Sequence, residues 1–281
     1  MAIIAMTREM GSLGKFVAEG LAADLHLNLL YHEVIDSVSE KMHLPGSVVT
    51  RFLQGRAMPI KRFRTDMDAL SLYTAEEVLN IAAHGNLMIR GWGATCLLRP
   101  VSHVVCVRVC APMEARIRHI MERLGIDDPD LAQAEIKRND AAHSAAMQRR
   151  FGIDWEDPAH YDLVLNTERL SVTARTEQIK ALAKQPDFQE TAESRAKLLN
   201  LALSAHIQAE LRNDPVTHDV KITIDTFNDE RPGNLILRGI VLSDDEKRMV
   251  EDLSSRCPGV SAVENQLRVM TGSRIRRTLN G

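Results

Sequence analysis

The residues with the clearest chemical promise stand near the start of the chain. Gly11, Gly14 and Lys15 lie in "TREMGSLGKF" (7–16), directly after the apolar run "AIIAM" (2–6). Glycines and a lysine between a buried strand and a helix can serve a phosphate: the backbone amides and the helix N-terminus surround its oxygens, and the lysine adds charge. The general pattern for such a loop is G-x-x-x-x-G-K-[ST]. In the window 9–16, Gly14 and Lys15 fit, Glu9 replaces the first glycine, and Phe16 replaces the hydroxyl residue that would hold Mg²⁺. Two readings stay open on these residues alone. One is a changed phosphate loop. The other is an ordinary glycine turn before a helix.

The elements that must position this loop follow from periodicity. Residues 2–6 read as a buried strand, and Phe16, Val17, Leu21 and Leu25 recur at helical spacing after it. Helices are predicted over 33–42, 46–54 and 65–83. "NLMIR" (86–90) and "SHVVCVRVCA" (102–111) read as buried strands. Pro112 opens a helix that ends at Gly125, a charged helix covers about 129–150, "YDLVLNT" (161–167) is a further strand, and a helix closes the series over 172–184. Strands alternating with helices predict an α/β domain with a mainly parallel sheet covered on both faces.

The pattern changes at the polar stretch "AKQPDFQETAES" (183–194). Beyond it the order is a helix (193–212), two strands ("HDVKITIDTF" and 233–241), a helix (243–257) and a last strand (260–270). That is a small α+β unit of order αββαβ. The helix from Ser243 carries a capping box, with Glu246 three residues on. The expected division is a first domain at 1–184, a linker at 185–192, a second unit at 193–272 and a basic tail at 273–281.

Composition narrows the class further. The 281 residues are 44% hydrophobic and 26% charged with a formal net charge of −3, so no strong field points to nucleic acid or an acidic membrane as the main partner. No run is long enough to span a membrane, and the N-terminus has no secretion pattern. Cys96, Cys106, Cys110 and Cys257 form no C-x-x-C pair, and Cys106 and Cys110, in the apolar run "VVCVRVCA", read as small buried thiols. These features are those expected of a cytoplasmic protein.

"MTREMGSLGKFVAEGLAADL", "LMIRGWGATCLLR", "PMEARIRHIMERLG" and "IKRNDAAHSAAMQRRFGIDWEDPAHYDLVLNT" together resemble the cytidylate kinase-like family, relatives of the P-loop nucleoside monophosphate kinases. The likeness runs in order over about 1–184 and is most specific in "GIDWEDPAHYDLVLNT". Relatives commonly carry a shortened loop of the "SREYGSGGR" kind, and Lys15 stands where many have Arg. The second unit, through "NLILRGIVLSDDEKRMVEDLSSRCPGVSAVENQLRVM", resembles the BON domain, a ligand-binding module.

The resemblance implies a phosphotransferase that moves the γ-phosphoryl of ATP to a nucleoside monophosphate or related small acceptor, with Mg²⁺. It implies donor phosphates on Gly11, Ser12, Leu13, Gly14 and Lys15. It also implies a lid in 128–151 supplying Lys137, Arg138, Arg149 and Arg150, with Lys15, Arg138, Arg149 and Arg150 as the catalytic cations. Relatives show a D-x-x-R spacing in the lid; here it is Asp140 and His143. Arg90, at the carboxyl edge of its strand, is assigned to the acceptor's phosphate, or else to a structural ion pair. His32 is a second candidate for substrate contact, or a structural histidine. Arg116, Arg118 and Arg123 read as a solvated helix face. Mg²⁺ falls to Ser12 or Thr7, or to phosphates and water alone. The alternative is a catalytically weak nucleotide sensor, with the BON-like unit in a regulatory, ligand-binding or assembly role. No nucleic acid partner is expected; a homo-oligomer through the second unit is one arrangement compatible with its strand edges.

Overall fold

The computed structural model describes residues 2–30, 33–53, 67–226 and 232–270. His32 and the basic tail 273–281 lie outside these residues. The chain divides into two compact units, Met1–Thr191 and Ala192–Gly281.

The first unit runs β1 (Ile3–Arg8), α1 (Gly14–Leu25), β2 (Asn28–Leu30), α2 (Glu33–Met42), α3 (Gly46–Leu53), α4 (Met67–Ala83), β3 (Leu87–Arg90), α5 (Ala94–Leu97), β4 (Val104–Cys110), α6 (Met113–Leu124), α7 (Pro129–Phe151), β5 (Leu163–Asn166) and α8 (Val172–Ala183). The strands form one parallel sheet in the order β2-β3-β1-β4-β5. β1 is buried from Ile3 to Thr7 because it sits at the centre with helices on both faces. Val17, Ala18 and Leu21 of α1 are fully buried against Ile4, Met6, Met88 and Val107. Val17 and Leu21 are each worth about 2 kcal/mol of apolar burial, which fixes the helix that carries Lys15.

Two elements go beyond the sequence reading. β2 has only three residues, none of them fully buried, and no periodicity can show in so short a run. The four-residue α5 is equally short. The sheet also supplies what the sequence could not, namely strand order. The chain leaves β1 toward β3 on one side and later fills β4 on the other, so the order reverses at β1. Ligands of open α/β sheets bind at that reversal, beyond the carboxyl ends of the strands.

The second unit runs α9 (Ala192–Asn213), β6 (Ile222–Thr226), β7 (Asn234–Val241), α10 (Asp244–Arg256) and β8 (Ala262–Val269). Its sheet has the order β6-β7-β8, antiparallel then parallel. Ile207, Leu211, Leu235, Leu237, Val250 and Leu267 form its own core. Ser243 Oγ accepts from Glu246 N (3.1 Å), while Glu246 accepts from Leu242 N (2.6 Å), one residue earlier than a regular capping box.

Candidate functional site

The carbonyl oxygens of the loop between β1 and α1 are taken up by donors. Glu9 O accepts from Ser12 N and Ser12 Oγ (3.2 and 2.8 Å). Met10 O accepts from Arg116 Nε (2.7 Å), and Gly11 O from His119 Nδ1 (2.8 Å). Ser12 O accepts from Thr167 Oγ1 (2.7 Å), and Leu13 O from Phe16 N and Val17 N. The amides of Gly11, Leu13, Gly14 and Lys15 find no acceptor among the described residues. Free donors gathered at a helix N-terminus are an anion site, so the loop fits the phosphates of a nucleotide.

Backbone geometry explains the glycines. Gly11 has φ +81°, and a Cβ there would lie 2.8 Å from Arg116 O. A Cβ on Gly14 would lie 2.8 Å from Arg8 Cβ, so this glycine lets the last residue of β1 pass beside α1. Leu13 also takes the left-handed conformation, at φ 60°.

Glu9 serves the inside of the protein. Its carboxylate accepts from Arg108 Nη2 (2.8 Å) and Ala111 N (3.1 Å), and lies 3.4 Å from Arg116 Nη1. Arg116 continues to Asp140 of α7 at 2.8 and 2.6 Å. Arg108 stacks 4.2 Å from the Trp155 ring centre and donates to Trp155 O, which also accepts from Tyr161 Oη. Arg116 therefore is no part of a solvated face, since both it and Arg108 are buried. The helical spacing of charges could not distinguish a buried arginine with two carboxylates from an exposed one.

Two adjoining clefts open at this edge. The larger, about 510 Å³, is lined by Gly11, Leu13, Gly14, Lys15, Phe16 and His119 among others. The smaller, about 230 Å³, is lined by Thr7, Leu53, Trp92, Asn139 and His143 among others. Arg8, Arg90 and Arg123 line both. Sequence reasoning passed over Arg8 and placed Arg123 on a solvated helix face rather than at the site. Arg8 could have been found, because it ends a central strand directly before the loop; Arg123 resembled any surface arginine.

The other sequence candidates lie elsewhere. Arg138 is exposed and paired with Glu135, and Arg149 is exposed. Arg150 rests on the rings of Phe52 (5.3 Å) and Phe151 (5.1 Å), and burial lowers its pKa to about 10, which leaves it charged at neutral pH. None of the three lines either cleft among the described residues. Lys15 is 62% exposed and 3.6 Å from Glu19. Ser12 is fully buried with its hydroxyl donating to Glu9 O, and Thr7 Oγ1 accepts from Trp155 Nε1 (2.9 Å), so neither presents a ready ligand to Mg²⁺.

His143 stands in the smaller cleft, 4.4 Å from Trp155 by ring centres and 3.5 Å from Thr7 Oγ1. Burial, then the Arg8, Arg108 and Arg150 guanidiniums, push its pKa from the usual 6.5 down to about 4, so it is neutral at pH 7. Burial likewise raises Cys96 to about 11 and Cys106 to about 12, which keeps both as thiols.

A parallel sheet, an amide-lined loop at its centre and paired clefts beyond it define a P-loop kinase-like domain. The chain belongs to the cytidylate kinase-like family, whose profile matches residues 3–169, and residues 201–271 match the BON domain. Over 99 residues, 35% of this chain, it is 33% identical to a cytidylate kinase of Staphylothermus marinus. The match covers 52% of that protein, so the chain spans about half the length of this curated relative. An uncharacterised protein from Eubacterium ventriosum superposes with a TM-score of 0.52 at 19% identity, over 66% of this chain and 99% of that one. A shikimate kinase from Bacteroides thetaiotaomicron gives 0.41 at 14% identity, over 66% and 99%. At 19% identity the first likeness speaks for the fold alone. No described helix is long and apolar enough to cross a membrane.

Proposed function

We propose that the first unit is a phosphotransferase that moves the γ-phosphoryl of ATP to a nucleoside monophosphate or a similar small phosphorylated acceptor. The observation that carries this reading is the pair of clefts sharing Arg8, Arg90 and Arg123. The donor's phosphates lie on the free amides of Gly11, Leu13, Gly14 and Lys15, with the Lys15 ammonium against the outer oxygens. The acceptor's phosphate enters the smaller cleft, held by Arg90. The transferred group then crosses between the clefts, past the guanidiniums of Arg8 and Arg123. Phosphoryl transfer asks chiefly for position and for neutralised charge, which these groups supply.

Purified protein given ATP and a panel of nucleoside monophosphates, with and without MgCl₂, tests this by ADP release. The expected result is turnover with at least one acceptor and a fall of about 100-fold or more in kcat/KM for Lys15→Ala. Turnover unaffected by Lys15→Ala would contradict the assignment. A second reading, a sensor that binds nucleotide without turning it over, is favoured by one observation: His143 carries no charge at neutral pH. ATP binding without ADP release from any acceptor would select it.

A further inference from the structure

The smaller and larger clefts together present Arg8, Lys15, Arg90 and Arg123, against Glu122 as the one carboxylate among the described lining residues. Phosphate loops of the general pattern share the work of neutralisation with Mg²⁺, oriented by the hydroxyl after the lysine. Here that position is Phe16, 53% exposed. The nearby hydroxyls of Ser12 and Thr7 are buried and engaged. No group of three or more His, Cys, Asp or Glu side chains that could hold a metal occurs among the described residues. Among the described residues the lining therefore offers an anion four cationic side chains and a cation only one carboxylate, the exposed Glu122. A guanidinium spans two phosphate oxygens at once, and it competes with Mg²⁺ for the same oxygens.

We propose that the site takes the polyphosphate of its ligand as the free anion, with Arg8, Arg90 and Arg123 occupying the place that a protein-held metal has in the general pattern. This rests on the reading of the loop as a phosphate site. A polyphosphate already carrying Mg²⁺ has less charge and fewer open oxygens, and is the weaker ligand.

The test is calorimetric titration of the full chain with ADP and, separately, inorganic tripolyphosphate. Each is run in excess EDTA and in excess MgCl₂ at equal ionic strength. Binding is expected to be tighter in EDTA by about threefold or more, and Arg123→Ala is expected to remove that advantage. Arg123 is exposed and makes no described hydrogen bond or ion pair, so its variant is expected to fold as the parent does. Binding that is equal in the two media, or weaker in EDTA, overturns the proposal while leaving the phosphate site standing. An EDTA advantage that survives Arg123→Ala overturns the role given to Arg123. No binding of either probe in either medium overturns both the proposal and the phosphate site beneath it.

Discussion

Glu9 occupies the position of a glycine in the general phosphate-loop pattern, and the buried network around it makes that departure a structural requirement. Its carboxylate meets Arg108, Arg116 and the Ala111 amide. Glu9→Gly brings the sequence closer to the general pattern, yet it strands two buried guanidiniums. The expected cost is about 3–5 kcal/mol, read by urea denaturation, with loss of nucleotide binding. A variant as stable as the parent would contradict the account. His143 gives a pH signature of its own. Its pKa is about 4 in the folded chain against 6.5 as its ordinary value. The unfolded chain therefore takes up a proton first as the pH falls, and the stability His143 contributes is present above about 6.5 and lost toward 4. Urea midpoints compared at pH 7.5 and 4.5 are expected to show a loss of about 1–3 kcal/mol that shrinks in His143→Gln. An identical loss in both proteins would rule this out. Neither effect was legible in the sequence, because burial and long-range partners create both.

At the scale of elements, α6 and α7 form the support of the loop. α6 begins after Pro112 and ends at Gly125, whose φ is 63°. α7 begins at Asp128, which accepts from the amides of Asp130 and Leu131, and ends at Gly152. These start and stop signals are local, so both helices could be read in advance. What they touch could not. Arg116 of α6 binds the loop at Met10 O and α7 at Asp140, and His119 binds Gly11 O. Asp140→Asn removes the charge that ties α7 to α6. Hydrogen exchange is expected to quicken in α7 and at Gly11–Lys15 together, with a stability loss of about 1–3 kcal/mol. Faster exchange in α7 alone would mean that the two are not linked. The block "GIDWEDPAHYD" has its explanation here too. Trp155 and Tyr161 enclose Arg108, and Asp162 accepts from Cys106 N (2.7 Å). Its specificity in the sequence reflects the packing that holds the end of α7 on β4.

At the scale of the whole molecule, the α/β class and the αββαβ order of the second unit were legible because long apolar runs and capping signals are local properties. The order β2-β3-β1-β4-β5 was not, since a sequence does not state which strands are neighbours. That order puts the loop at the reversal point, and so brings Arg8, Arg90 and Arg123 from distant parts of the chain to one place. Each unit has a core of its own. A chain ending at residue 191 is accordingly expected to fold and to bind ADP within about threefold of the full protein. A far larger loss would assign part of the site to the second unit.

The central claim is that the amides of Gly11, Leu13, Gly14 and Lys15 hold phosphate. Titration of ¹⁵N-labelled protein with ATP, followed by amide resonances, tests it most directly. The account predicts that these four amides shift together and saturate at one concentration, with Arg90 and Arg123 side-chain signals following. Unmoved loop amides at millimolar ATP would contradict it.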